Sequence, residues 1–392
     1  MSRSDAIAQL VAQYFSMDEP SDGLPLAVSP IEGEEIAAAI ETLLSGWLTM
    51  GKKVLDFERA WAEAVGTKHA VCVNSGSSAL LVMLTALIES GVLKRGQEVV
   101  VPAVGWSTSL FTVAQAGLKP VLVDVGEDSL CLEGEWDRPV LAVHLLGCPS
   151  RATGPVIIED ACGAHGAQIG DQMCGAIGVA SAFSFFFSHH LSTIEGGMIN
   201  TDSDEVADAA RSVRAHGWVR ERSDADELAA AHPEIDRRFL FVSAGYNLRP
   251  TEITGAMGVC QVPRLAQYVA HRRANHARWC EAVQSLNLPL RVFPELPNTT
   301  HAAFAFPMLI DPKVDERAAV CAKLEAQGIS TRPISGSNLA RQPAFSRIEG
   351  VRVEGLTPVA DAVHERGFFV GQSHAFDDNH MDRLLEGLKG AF

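Results

Sequence analysis

The sequence predicts an α/β protein with a mainly parallel central sheet and flanking helices, followed by a smaller α+β C-terminal domain. Two observations carry this. From about residue 70, short β-branched runs alternate with helical stretches, the order expected of a doubly wound sheet. Most of those runs are continuously apolar, which is the pattern of strands covered by helices on both faces. The runs are Ala70–Val73, Glu98–Val101, Val121–Val125, Val140–His144, Val156–Ile158, Ser181–Phe187 and Met198–Thr201, each bounded by Gly, Pro, Asp or Asn.

Ahead of them, residues 35–66 read as helical. Ile36, Ile40, Leu43 and Leu44 recur at helical spacing, then Phe57, Trp61 and Val65 after a break at Gly51. The charged, aperiodic stretch 220–238 reads as a loop or a short surface helix. Helical pattern returns over 251–286, interrupted at Pro263. Beyond about 287 the chain offers strand-like pieces at Ala303–Ile310, Ile329–Arg332 and Gly367–Val370, with helices at 314–327 and 377–390. The division that follows is an N-terminal segment at 1–30, a large α/β domain at 31–262 and a small domain at 263–392.

Composition narrows the function classes. With 32 basic and 48 acidic residues among 392, the net charge is −16, whose field repels phosphate backbones and anionic membranes. A nucleic-acid or membrane partner is therefore not expected, and a phosphorylated ligand would need local amides and a few placed arginines. The eight cysteines show no CxxC step and no compact cluster, so free thiols in a cytoplasmic protein without a metal centre are expected.

Four features fall where an open α/β sheet binds ligands, beyond the carboxyl ends of its strands. Asn74-Ser75-Gly76-Ser77-Ser78-Ala79 joins a strand to an apolar helix. It reads either as a phosphate cradle or as a plain serine-capped turn. Ile157-Ile158-Glu159-Asp160 ends a buried strand in two carboxylates, and an Asp there reads either as a solvated strand-end acid or as a partner for a protonated ring nitrogen. Ser184-Phe185-Phe186-Phe187-Ser188-His189-His190 ends an apolar run in a histidine pair, which reads either as satisfied core histidine or as the side chain matched to proton transfer near neutral pH. Glu195-Gly196-Gly197 reads as a turn.

Together these pieces resemble one family. AVCVNSGSSALL, EVVVPAVGWSTS, GLKPVLVDV, VIIEDACGAHGA, FSFFFSHHLSTIEGGMINTD and GYNLRPTEITGAMGVCQ follow, in order and spacing, the DegT/DnrJ/EryC/StrS-type sugar aminotransferases and dehydratases, from roughly Leu26 to Gly371. That resemblance implies the aspartate-aminotransferase-like fold (pyridoxal-phosphate transferase fold type I), pyridoxal or pyridoxamine 5'-phosphate as cofactor, and a nucleotide-linked keto-sugar as substrate. Aminotransferases of the family carry a cofactor-linking lysine five residues after the Ser of the Phe-Ser-Phe motif. Here that position is His189, and no lysine lies between Lys119 and Lys313. A histidine there is similar to the 3-dehydratase branch, which makes 3-deoxy sugars. One type in that branch has an iron–sulfur site with a C-x-C step. This chain has no C-x-C, and SHHLSTIEGG, SVRAHGWVR, GYNLRP and GISTRPISGSNL are similar to the cluster-free type.

By position, the resemblance implies Gly76, Ser77 and Ser184 for the cofactor phosphate, Trp106 against the pyridine ring and Asp160 for its nitrogen. Asn247 would reach the phosphate from the neighbouring subunit of a homodimer with shared active sites. His189 would be the catalytic acid/base, His190 structural, and His216, Arg220 and Arg332 substrate ligands or surface ion-pair partners. L-glutamate would restore the amine form, and ammonia would be released. Two other readings stay open: an aminotransferase or deoxygenase of another keto-sugar on the same scaffold, and a non-catalytic cofactor-binding protein.

Overall fold

The computed structural model describes residues 3–15, 23–313 and 316–392. The large sheet has eight strands in the order His69–Val73, Gly197–Thr201, Ala180–Ser184, Ile157–Asp160, Val140–Val143, Glu98–Pro102, Lys119–Val123 and Arg352–Val353. Only Gly197–Thr201 runs antiparallel to its neighbours. The predicted strands all form, in a mainly parallel sheet with helices packed on it.

The helices follow from capping and apolar spacing. Gly76–Glu89 begins at Ser75, whose hydroxyl accepts from the Ser78 amide, and its inner face fills the core with Leu80, Val82, Met83, Leu84 and Leu87. The 35–66 region forms two helices, Gly33–Ser45 and Lys52–Val65, with Gly51 as the N-cap of the second. Pro263 sits in a single 3-10 turn between Glu252–Gln261 and Leu265–Ser285. The charged 220–238 stretch contains one short helix, Ala225–Ala231.

Three local readings change. The strand expected over Ser181–Phe187 stops at Ser184. Phe186 and Phe187 are apolar but 44% and 46% exposed, so residues 185–190 form a turn rather than continue the sheet. The helix expected over 314–327 is described as Arg317–Glu325; residues 314 and 315 lie outside the described residues. A helix at Pro358–Arg366 has no counterpart in the sequence reading.

The smaller sheet has the order Leu290–Val292, Ala305–Ile310, Gly367–Gly371, Thr331–Pro333, all antiparallel. Two segments cross the division read from sequence. Leu24 bridges Ile329 and is buried among Trp279, Phe306 and Phe368. Arg352–Val353 joins the edge of the large sheet, where Arg352 and Arg138 meet Glu98 and Glu354 in a four-residue ion-pair network. All eight cysteines are free, five of them buried. Among the described residues, no helix is long and apolar enough to cross a membrane.

Candidate active site

The chain winds from Glu98–Pro102 outward to Lys119–Val123, then returns to place Val140–Val143 on the other side of Glu98–Pro102. That reversal opens a crevice beyond the carboxyl ends of the strands, the usual ligand position in such sheets. The segments leaving these ends carry Asn74–Ser77, Trp106, Asp160 and Ser184–His190.

Gly76 opens its helix against Ser184. A Cβ on Gly76 would lie 2.5 Å from Ser184 Cβ and 3.0 Å from both Ser184 Oγ and Cys162 Sγ, so only glycine permits this approach. Gly197 is wedged equally tightly, since a Cβ there would lie 2.2 Å from the Ser75 carbonyl oxygen. Ser77, on the first turn, is exposed. A helix N-terminus with an open serine and a second hydroxyl alongside is an anion cradle. The 74–79 turn is serine-capped at Ser75, and the close approach of Ser184 places a second hydroxyl beside it.

Asp160 is buried at the end of its strand. Ser109 donates to its Oδ2 at 2.6 Å, and the Cys162 amide donates to Oδ1 at 3.2 Å. Ser109 lies three residues after Trp106, whose ring is 59% exposed at the start of the helix Ser107–Gln115. Asp160 and Trp106 are thus tied together through Ser109, a residue the sequence reading did not single out. Glu159 points to the opposite face, as successive strand residues must. It accepts from the amides of Gly175, Ile177 and Gly178 at 2.6–2.9 Å and lies 3.0 Å from His144 Nε2. Burial would raise its pKa, but His144 and these amides hold it below the ordinary carboxylate value. Cys174 completes a buried trio whose ligand atoms lie within 4.8 Å. Metal-like spacing is present there, yet the Glu159 oxygens and both His144 nitrogens are already engaged, Nδ1 by the Ser150 amide at 2.9 Å.

His189 sits on the turn after the Ser184 strand. Its ring packs on Phe304 at 5.0 Å and stacks on His165 at 5.8 Å, and its Nδ1 is buried without a hydrogen-bond partner. Burial first, and then the charge of Arg272, press its pKa down to about 3. His190 is fully buried and its Nε2 donates to the Ala302 carbonyl at 2.7 Å, the structural role expected of it. His165 is also fully buried, with neither nitrogen partnered, and burial pushes it well below the ordinary histidine value. His165, Phe304 and Arg272 were missed from sequence. Arg272 was legible in principle: on Leu265–Ser285 the buried positions 265, 268, 269, 272, 275, 276, 279, 280 and 283 keep helical period.

A second group gathers His216, Arg220 and Asn247. His216 adopts φ +64° and sits edge-on to Trp218 at 4.9 Å; Arg220 lies 4.1 Å over the same ring and donates to the Arg238 carbonyl. Asn247 bridges Ala215, is exposed, and accepts from Arg249 Nε at 3.1 Å. The Asn74 amide bonds the Leu248 carbonyl at 3.1 Å, which ties this group to the turn ahead of the cradle. Arg332 stands apart on the edge strand Thr331–Pro333. The following residues dock back, Gly336 donating to the Gly105 carbonyl at 2.8 Å, beside Trp106. Neither Arg220 nor Arg332 forms a salt bridge with a carboxylate among the described residues.

A family model, the DegT/DnrJ/EryC1/StrS aminotransferase family, matches residues 30–389. The chain belongs to this family. A GDP-4-keto-6-deoxy-D-mannose 3-dehydratase of Yersinia pseudotuberculosis is 32% identical over 389 residues, covering 94% of this chain and 97% of the relative. The E. coli GDP-4-keto-6-deoxy-D-mannose-3-dehydratase with bound hydrated pyridoxal phosphate superposes with a TM-score of 0.85 at 30% identity, covering 93% of this chain and 99% of that one. A GDP-4-keto-6-deoxymannose-3-dehydratase with a trapped pyridoxal phosphate–glutamate geminal diamine gives a TM-score of 0.83 at 30% identity, over 93% and 100%. The family fold is therefore the one read from sequence.

Proposed function

We propose that this protein is a pyridoxamine/pyridoxal 5'-phosphate-dependent 3-dehydratase of a nucleotide-linked 4-keto-6-deoxy sugar, with L-glutamate as amino donor and ammonia as by-product. The observation that carries this reading is His189. It occupies the family's lysine position, five residues after Ser184, beside a cradle that only Gly76 allows. The residues present fit the cofactor: an anion cradle, an oriented carboxylate at Asp160, an open aromatic face at Trp106 and an unpartnered buried nitrogen on His189.

Bound in its amine form, the cofactor supplies an amine for the sugar ketone and a ring that accepts electrons. The chain does the rest. Gly76, Ser77 and Ser184 hold the phosphate. Asp160, fixed by Ser109, would pair with the ring nitrogen and keep it protonated, and Trp106 would stack on the ring. His189 moves one proton, taking it as a neutral base and delivering it to the departing C3 hydroxyl. Without a lysine at 189 the cofactor is held non-covalently. The GDP-sugar dehydratase relatives support a GDP-linked substrate, for which His216, Arg220 and Arg332 are the proposed ligands. Asn247, exposed beside Arg249 on the Trp218 group, is proposed to serve the partner subunit of a homodimer. The eight free thiols support a cytoplasmic location.

The test is product analysis. Purified protein, pyridoxal phosphate and glutamate are incubated with GDP-, CDP- and dTDP-linked 4-keto-6-deoxy sugars. A 3-deoxy sugar with ammonia is expected from one of them. An amino sugar indicates transamination, and neither product indicates a binding protein. Borohydride should leave no reduced lysine adduct, and finding one would remove His189 from its role.

A further inference from the structure

We propose that Arg272 is a positioning residue for proton transfer at His189: its guanidinium clamps the backbone of Phe304, whose ring packs on the His189 ring, and adds to that wall a buried cation with no carboxylate partner among the described residues. The consequence for turnover rests on the dehydratase reading; the structural part does not.

The geometry of Arg272 is unusual for a buried charge. The side chain is 1% exposed. Its Nη1 donates to three carbonyls: Gln372 at 2.6 Å, Phe304 at 3.3 Å and Ala303 at 3.4 Å. Its Nε has no partner, and among the described residues no carboxylate pairs with it. Arg214, equally buried, shows the ordinary solution: it meets Glu58 at 2.7 Å, Glu221 at 2.6 Å and the Cys72 carbonyl at 2.6 Å. A guanidinium taken out of water without a counter-charge is expensive. Packing alone would be served by methionine.

One of the carbonyls it holds belongs to the residue that walls the histidine. Phe304 carries the ring packed on His189, and the neighbouring Ala302 carbonyl takes the His190 proton. On the far side the amides of Ala302 and Phe304 bond the carbonyls of Gly147 and Leu146 at 2.9 and 3.0 Å. The 302–304 segment is therefore gripped between the 145–147 turn and Arg272.

The groups that face His189 are His165 from the turn after Ile157–Asp160, His190 from its own turn, Arg272 from Leu265–Ser285, and the uncharged Phe186 and Phe304. None is anionic. The imidazole therefore enters the reaction neutral. Once it holds the abstracted proton it is a cation beside a fixed cation and releases the proton readily. Arg272 thus trades base strength for acid strength, which favours expulsion of the C3 hydroxyl as water.

The experiment uses the full chain as wild type, Arg272→Met, Arg272→Lys and Arg272→Gln, with and without cofactor. The His189 ring is titrated by NMR and the pH profile of kcat is recorded. Arg272→Met should raise the His189 midpoint by about one pH unit or more, tenfold in its protonation equilibrium, and move the acid limb of kcat upward with it. Arg272→Lys, which keeps the charge, should keep the midpoint near wild type while losing turnover through the weakened clamp. If Arg272→Met fails to fold, Arg272→Gln, which retains donors without charge, reads the same midpoint shift. A folded, uncharged variant whose His189 titrates as in wild type overturns the proposal. If wild type dehydrates no keto-sugar, the dehydratase reading fails, and the cofactor-free titration still decides the role of Arg272.

Discussion

The fully buried His144 and the half-buried His189 use the imidazole in opposite ways. His144 faces Glu159 and Cys174; the Ser150 amide donates to its Nδ1 at 2.9 Å, which leaves Nε2 as the donor to Glu159 Oε2 at 3.0 Å. Both Glu159 oxygens and both His144 nitrogens are engaged, so the pocket is a tether. It anchors the 175–178 turn to the back of the strand that presents Asp160. His189 has Arg272, His165 and His190 for company, an unpartnered Nδ1, and a depressed pKa. Its pocket leaves the ring neutral with a nitrogen free. His190 shares the Arg272 charge but has its Nε2 engaged by the Ala302 carbonyl, so what sets His189 apart is a neutral ring with a nitrogen left without a partner.

The largest test of that contrast is His189→Asn. It should lower dehydration by about a hundred- to ten-thousand-fold and leave the thermal midpoint near wild type. His190→Asn is the partner experiment: the Ala302 carbonyl loses its donor, so stability should drop by about 1–3 kcal/mol with a far smaller loss of rate. Equal losses of rate in the two would break the distinction between them.

In the other pocket, Glu159→Gln sets an amide NH2 among three backbone donors. Loss of a buried, paired charge should cost about 3–5 kcal/mol, read as a shift in the urea midpoint. A variant as stable as wild type would show that the Glu159 pocket is not a tether.

Gly76→Ala tests whether the cradle works independently of both pockets. Its Cβ would fall 2.5 Å from Ser184 Cβ. Overpacking of about 1–3 kcal/mol should appear mainly as weaker cofactor binding in an absorbance titration, and unchanged affinity would separate Ser184 from the phosphate.

The last test is in pH. Burial holds His189 at about 3 and His374 at about 4, against an ordinary 6.5, and also lowers His165, His190 and His301. The folded state thus resists protons that the unfolded chain accepts. Their contribution is present above 6.5 and is lost as pH falls from 6.5 toward 4. Glu159, also depressed, adds to the loss at the acid end. The thermal midpoint should fall through that window; a flat profile would mean the histidine pocket admits water.

Much of the site was legible because it sits in contiguous motifs. Gly76, Ser77, Trp106, Asp160 and Ser184 each end a strand or begin a helix, and His189 lies on the turn that follows Ser184. The seven strands were readable from their β-branched runs. The overlong strand at 181–187 shows the limit: apolar residues continue after the sheet stops, and nothing local marks Phe186 and Phe187 as exposed.

By itself the sequence determined the α/β alternation, the absence of any lysine between 119 and 313, and the histidine that stands at 189. Those are properties of local pattern and identity. Only the tertiary structure decided which charges meet. It set Ser109 on Asp160, sent Glu159 to His144 rather than to the crevice, and left Arg272 with carbonyls where Arg214 has two glutamates. Each of these contacts brings different segments of the chain together. An arginine on the inner face of a helix has the same pattern whether a carboxylate awaits it or not, so the burial and the charge that keep His189 neutral exist only once the chain has folded.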